Sequence, residues 1–250
     1  MLGNKNFFFR YQNLSELSVR HPNGVGFTKA CFAYFYGMFY MVKTPWWLKK
    51  MYPSLVWDIP SEEKVLYLTF DDGPHKIFTP LVLSHLQQFN AKATFFCIGK
   101  NVGETPSVYS AILQQGHAVG NHTQNHLNGW KTKDDIYIQN IAEASAHIQS
   151  GLFRPPYGRI TKFQAALLQQ RQAGPFVIIM WDVLSGDFDT DLSPERCLQN
   201  VMMYAKPGSI IVFHDSAKAF DRMNYALPRV LEHFSNRGFT FKTLSGIPLK

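Results

Sequence analysis

The chain has 250 residues, 46% of them hydrophobic and 15% aromatic, which is enough to bury the core of one barrel-sized domain, and it shows no internal repeat or low-complexity tract. Its formal charge of +7 is concentrated early: residues 1 to 60 carry Lys5, Arg10, Arg20, Lys29, Lys43, Lys49 and Lys50 against Glu16 and Asp58. The body is left near neutrality, with no basic stripe carrying interleaved aromatics, so no nucleic-acid partner is expected.

The apolar stretch from Ala30 to Val42 is too short, and too broken by Gly37, for a membrane-crossing helix of about 20 residues. Lys29 ahead of it would suit a signal-peptide core, but no small-x-small cleavage site follows. Residues 1–60 are therefore expected to form an N-terminal extension. It is read as packed on the domain, as in weak contact with a membrane surface, or as upstream of a start at Met38 or Met41. Cys31, Cys97 and Cys197 lie far apart with no Cys-x-x-Cys pair, which fits a reducing compartment. A cytoplasmic location is favoured over an exported or membrane-associated one.

From residue 61 onward the chain alternates β-branched or aromatic runs with amphipathic segments, as parallel βαβ units do. The predicted strands are Val65 to Thr69, Ala93 to Ile98, His117 to Asn121, Leu152 to Pro155, Phe176 to Trp181, Ser209 to Phe213 and Phe239 to Thr243. Between them, Thr79-Pro80, Thr105-Pro106 and Ser193-Pro194-Glu195 each place a capping hydroxyl before a proline suited to the first helical turn, and Thr132 is a fourth candidate. Gly116, Gly151, Gly174, Gly208 and Gly238 mark returns from helix to strand. Seven units in about 190 residues fall short of the roughly 250 typical of an eight-fold barrel, so a smaller α/β barrel with seven units is expected.

Polar clusters sit at the carboxyl ends of these strands, where α/β barrels place catalytic groups. Asp71-Asp72-Gly73-Pro74 reads either as a turn or as two carboxylates facing opposite ways, one toward a metal and one toward a water. His122 and His126, four apart, would share a face if the loop entered a helical turn, and with a strand-end Asp they complete three ligands and leave a position for water. Arg154-Pro155-Pro156-Tyr157-Gly158 is a rigid loop. It is either a surface turn or a guanidinium aimed at a carboxylate, with a backbone N–H offered to an oxyanion. His214-Asp215 ends the apolar run Ile210 to Phe213, where an imidazole needs a polar partner; a general acid is the preferred role.

The order and spacing of Thr69-Phe70-Asp71-Asp72-Gly73-Pro74, His122-x-x-x-His126, Arg154-x-Pro156-Tyr157-Gly158 and Phe213-His214-Asp215 resemble the polysaccharide deacetylase family, the NodB homology domain, over roughly Lys64 to Leu244. The resemblance implies a distorted (β/α)7 barrel of TIM-like type over residues 61–250, an α/β fold. It implies a metal-dependent hydrolase acting on an acetylated carbohydrate polymer or oligomer, first of all by N-deacetylation of N-acetylglucosamine units. By the same resemblance Asp71 is the general base, Asp72, His122 and His126 hold zinc (or cobalt, nickel or manganese), and His214 is the general acid. Arg154 pairs with Asp71, Asp187 tunes His214, and the Tyr157 backbone N–H helps hold the oxyanion.

The chain departs from the family pattern around Trp181 to Phe188, with Leu184 in the first Asp position and Phe188 for Trp, which leaves Asp182 and Asp189 as rivals to Asp187. Val212 stands where Leu is common. An O-acetyl-xylan-type esterase and a non-catalytic carbohydrate-binding barrel are the alternatives. An unrelated barrel amidohydrolase is disfavoured, because the first strand lacks the His-x-His such a site would use.

Overall fold

The computed structural model describes residues 40–171 and 174–246. The readings that fall on residues 1–39, including the apolar stretch up to Phe39, the start at Met38 and Cys31, lie outside the described residues. A short helix α1 (Trp46–Met51) precedes strand β1 (Val65–Asp71) and helix α2 (Phe78–Gln88). There follow β2 (Ala93–Cys97), α3 (Gly99–Glu104), α4 (Pro106–Gln114), β3 (Ala118–Asn121), α5 (Asp134–Ser145) and β4 (Leu152–Phe153). The second half runs α6 (Lys162–Gln169), β5 (Val177–Ile178), β6 (Val183–Leu184), α7 (Pro194–Tyr204), β7 (Ile210–His214), α8 (Phe220–Ser235) and β8 (Thr240–Phe241).

The strands form one sheet in the order β5-β4-β3-β2-β1-β7-β6, with β8 set against the start of β1. Each strand-to-strand pairing is parallel. The central strands read as continuous apolar runs because helices cover one face and side chains fill the other: all of β2 and six of the seven residues of β1 are buried. The result is an α/β half-barrel that keeps the seven parallel strands expected of a distorted barrel, with one exchange among its members. β6, only two residues long, was not anticipated and takes a place in the seven-strand path, while the predicted last strand becomes β8, off that path. Two residues cannot show a period, so β6 leaves no pattern to read.

Helix boundaries follow the predicted caps unevenly. Ser193 caps α7 by accepting from the Arg196 amide, as expected. Thr105 stands at the N-cap of α4, but its hydroxyl serves Asn101 and Pro74 carbonyls instead. α2 starts at Phe78, so Thr79 lies inside it, and α5 starts one residue later than a cap at Thr132 requires. Thr161 and Gln164 form a reciprocal capping box on α6.

The sheet does not close on itself between β5 and β6, and residues before β1 cover that seam. The Val56 amide donates to Ile178 O at 2.9 Å, Met180 N returns a bond to Val56 O at 2.7 Å, and Ile59 N donates to Gly208 O at 2.9 Å. Further out, Leu184 N donates to Val42 O and Thr44 N to Asp182 O, so Val42–Thr44 cap the free edge of β6. The buried Asp182 carboxylate anchors the same seam, paired with Lys43 and Lys49 and accepting from the Ser209 hydroxyl at 2.6 Å.

Candidate active site

Register brings the predicted clusters to one rim. Asp71 lies opposite Phe96 on β2 and His214 on β7, Cys97 lies opposite Asn121, and Asn121 opposite Phe153. Asp71, His214, His122 and Arg154 therefore leave the sheet at the same level, at the carboxyl ends of four parallel strands.

Asp72, His122 and His126 converge so that one ligand atom from each lies within 4.8 Å of the others. Asp72 Oδ1 is 3.2 Å from His126 Nε2 and 3.7 Å from His122 Nε2. Buried as it is, that oxygen has no aligned hydrogen-bond partner among the described residues, which is the state of a carboxylate oxygen shaped for a cation. His122 is buried, and its Nδ1 lies 2.8 Å from the Arg154 carbonyl. A carbonyl can only accept, so Nδ1 carries the proton and Nε2 presents a lone pair to the cluster. Burial, only partly offset by the Asp71 charge, pushes His122 down to about 4 and keeps it neutral. Burial opposes the charge on Asp72, but the facing His126, His214 and His122 outweigh it and hold the carboxyl well below its usual range.

The two histidines meet without a helical turn. Thr123 and His126 take positive φ values of 65° and 57°, and the loop folds back on itself. Two asparagines that the motifs did not single out hold it. Asn121 Oδ1 accepts from Thr123 N at 2.8 Å, and Asn140 Oδ1, from α5, accepts from Gln124 N and Asn125 N at 3.0 and 3.1 Å. Asn140 stands with Tyr137, Ile141 and Ala144 on the buried face of α5, where its polar character is the available signal.

Asp71 points into the barrel mouth and pairs with Arg154 Nη1 at 2.7 Å. The guanidinium is fully buried, and four further contacts fix it: Thr69 Oγ1 at 2.7 Å, the carbonyls of Ile179 and Met180, and the Phe96 ring at 4.1 Å. Arg154 is therefore no surface turn residue. The Pro156–Gly158 segment forms a single 3-10 turn with Tyr157 at φ 59°, and the Tyr157 hydroxyl lies 3.1 Å from His126 Nδ1.

On the other flank, Asp187 accepts from the His214 amide through Oδ2 and faces His214 Nδ1 through Oδ1, both at 2.7 Å. Burial would lower His214, but Asp187, with support from Asp72 and Asp71, raises it to about 10. Phe188 packs edge-on against the imidazole at 5.3 Å. The rivals of Asp187 are engaged elsewhere: Asp182 at the seam with Lys43 and Lys49, and Asp189 beside Tyr40. Asp215, next to His214 in sequence, turns the other way and does not pair with it.

The family model described as polysaccharide deacetylase matches residues 58–174. A peptidoglycan-N-acetylglucosamine deacetylase of Bacillus cereus is 32% identical over 205 residues, covering 79% of this chain and 95% of the relative. A chitooligosaccharide deacetylase of Azorhizobium caulinodans is 32% identical over 164 residues, covering 63% of this chain and 76% of the relative. Among solved structures, a peptidoglycan N-acetylglucosamine deacetylase in complex with 4-naphthalen-1-yl-N-oxidanyl-benzamide superposes with a TM-score of 0.73 at 31% identity, over 80% of this chain and 95% of that one.

Proposed function

The chain belongs to the polysaccharide deacetylase family, and from that premise we propose that it hydrolyses the N-acetyl group of N-acetylglucosamine units in a peptidoglycan-like or chitooligosaccharide substrate. The observation that carries the reading is the convergence of the Asp72, His122 and His126 cluster with two separately buttressed acid–base groups, Asp71 with Arg154 and His214 with Asp187. Two imidazole nitrogens and one carboxylate suit a divalent ion, zinc before cobalt, nickel or manganese. When bound, that ion lowers the pKa of a water and polarises the acetyl carbonyl.

The chain's own residues do the rest. Asp71, fixed by Arg154 at the rim, takes the proton of the attacking water as general base. The Tyr157 backbone N–H, in the strained turn after Pro156, serves in this reading as the donor to the developing oxyanion. His214 carries its proton at neutral pH because Asp187 stabilises the imidazolium, so it can protonate the departing amine as the carbon–nitrogen bond breaks.

The test is acetate release from N-acetylglucosamine oligomers and from peptidoglycan fragments, with acetylated xylan as the competing substrate. Asp71→Asn is expected to lower kcat by about 10²–10⁴-fold while still binding Co²⁺ in equilibrium dialysis. Chelation should abolish turnover and added Zn²⁺ or Co²⁺ restore it. Binding of the oligomers with no acetate released by the metal-loaded wild type would instead favour a carbohydrate-binding barrel.

A further inference from the structure

We propose that Asp215 is a positioning residue for the metal centre: it clamps the Asp71-Asp72-Gly73 turn and so aims the Asp72 carboxylate at His122 and His126. The inference rests on the reading of Asp72 as a metal ligand.

Asp215 follows the last residue of β7, and its amide extends the parallel ladder by donating to Asp71 O at 3.2 Å. Strand alternation sends its side chain away from the rim that His214 faces, under the first turn. There the carboxylate is completely buried: Oδ1 accepts from the Gly73 amide at 3.0 Å, and Oδ2 accepts from the Thr79 hydroxyl. Thr79 is itself fixed, because the same hydroxyl accepts from His75 N at 2.7 Å. The fit leaves no slack, since a methyl group on Gly73 would lie 2.1 Å from Asp215 Oδ2.

The turn needs such a clamp. Asp72 sits at φ 80°, a conformation that a non-glycine residue holds only when its surroundings over-determine it. Asn101 Nδ2 donates to Asp72 O at 2.7 Å, and Ile98 N donates to Gly73 O at 2.9 Å, so carbonyls are held from the β2 side and the Gly73 amide from the β7 side. Without the carboxylate beneath it, Gly73 N–H loses its partner and Asp72 is free to relax toward negative φ, which swings its oxygen away from the two imidazoles. Outer-sphere partners of this kind are typically worth about 10–100-fold in metal affinity.

The experiment measures Co²⁺ affinity and the Co²⁺ visible spectrum of the metal-stripped protein, together with thermal melting in chelator. Asp215→Ala and Thr79→Val are each expected to weaken Co²⁺ binding by about tenfold or more and to alter the Co²⁺ band pattern. Thr79→Ser, which keeps the hydroxyl, should return affinity to near the wild-type value. If Asp215→Ala does not fold, the Thr79→Val and Thr79→Ser pair carries the test alone. Wild-type affinity and spectrum in the foldable variants, with Asp72→Asn weakened, would overturn the clamp and leave the metal-site reading standing. Wild-type affinity in Asp72→Asn would overturn both.

Discussion

A buried carboxylate and an imidazole 2.7 Å apart define what His214 can do. Its pKa in the folded protein is raised above the ordinary value near 6.5 to about 10, so the protonated form persists through neutral pH. Activity that needs this proton is present at low pH and falls as pH rises through the raised value. Asp187→Asn removes the main raising influence, so the alkaline limb of kcat/KM should move down by at least about 1 unit. kcat at the optimum should fall by about 10²-fold or more. A pH profile unchanged in Asp187→Asn would place the titrating acid elsewhere. The linked stability has the same sign: the ion pair contributes fully below pH 6.5 and loses its contribution as pH rises through the folded pKa, so Asp187→Asn should cost less stability at pH 10 than at pH 6.

The choice between Asp182, Asp187 and Asp189 shows where reading residues one at a time stops. All three are acids in one short stretch, Asp182 ahead of β6 and Asp187 and Asp189 after it, and spacing ranks them no further. Contact does, since Asp182 is taken by two lysines at the seam and Asp187 by His214.

At the scale of elements, the barrel works by matching the ends of its parallel strands. β3 is closely fitted: a methyl group at Gly120 would come within 2.5 Å of the Phe96 ring, and the Arg154 guanidinium lies 4.1 Å over that ring. Gly120→Ala should therefore act twice. It should destabilise the fold by about 1–3 kcal/mol through overpacking, which at this size lowers Tm by roughly 2–4 °C per kcal/mol. It should also lower kcat by tilting Arg154 away from Asp71, whereas a change of similar volume on a helix should lower Tm alone. Differential scanning calorimetry and acetate release on the same sample separate the two effects. The central strands were legible because burial on both faces leaves a near-continuous apolar run, as in Ile210–Phe213. The rim loops were legible only as motifs, because the left-handed turns at Asp72, Thr123, His126 and Tyr157 follow from packing and not from glycine.

For the whole molecule, the seam between β5 and β6 joins the start of the described chain to the catalytic sheet. Leu55, Val56 and Trp57 are buried against it, and Lys43 and Lys49 neutralise Asp182 there. We propose that residues 40–60 are an integral part of the catalytic unit. A chain beginning at Ser61 should melt at least about 10 °C below one beginning at Tyr40, given about 1.5–3 kcal/mol per large apolar side chain re-exposed and the Tm scaling for this size. Equal melting temperatures would show the seam to be dispensable. Among the described residues no helix is long and apolar enough to cross a membrane.

The sequence by itself determined the α/β class and the central strands, and it singled out Asp71, Asp72, His122, His126, Arg154 and His214 as candidates, because burial and reactivity restrict which side chains can stand at those places. Only the tertiary structure decided which acid serves His214, that Asp215 faces the first turn, and that the segment before β1 closes the sheet. Those outcomes depend on contacts between residues far apart in the chain. Such pairings are set by strand register and by the directions in which loops leave the sheet, and neither is written in any local stretch of sequence.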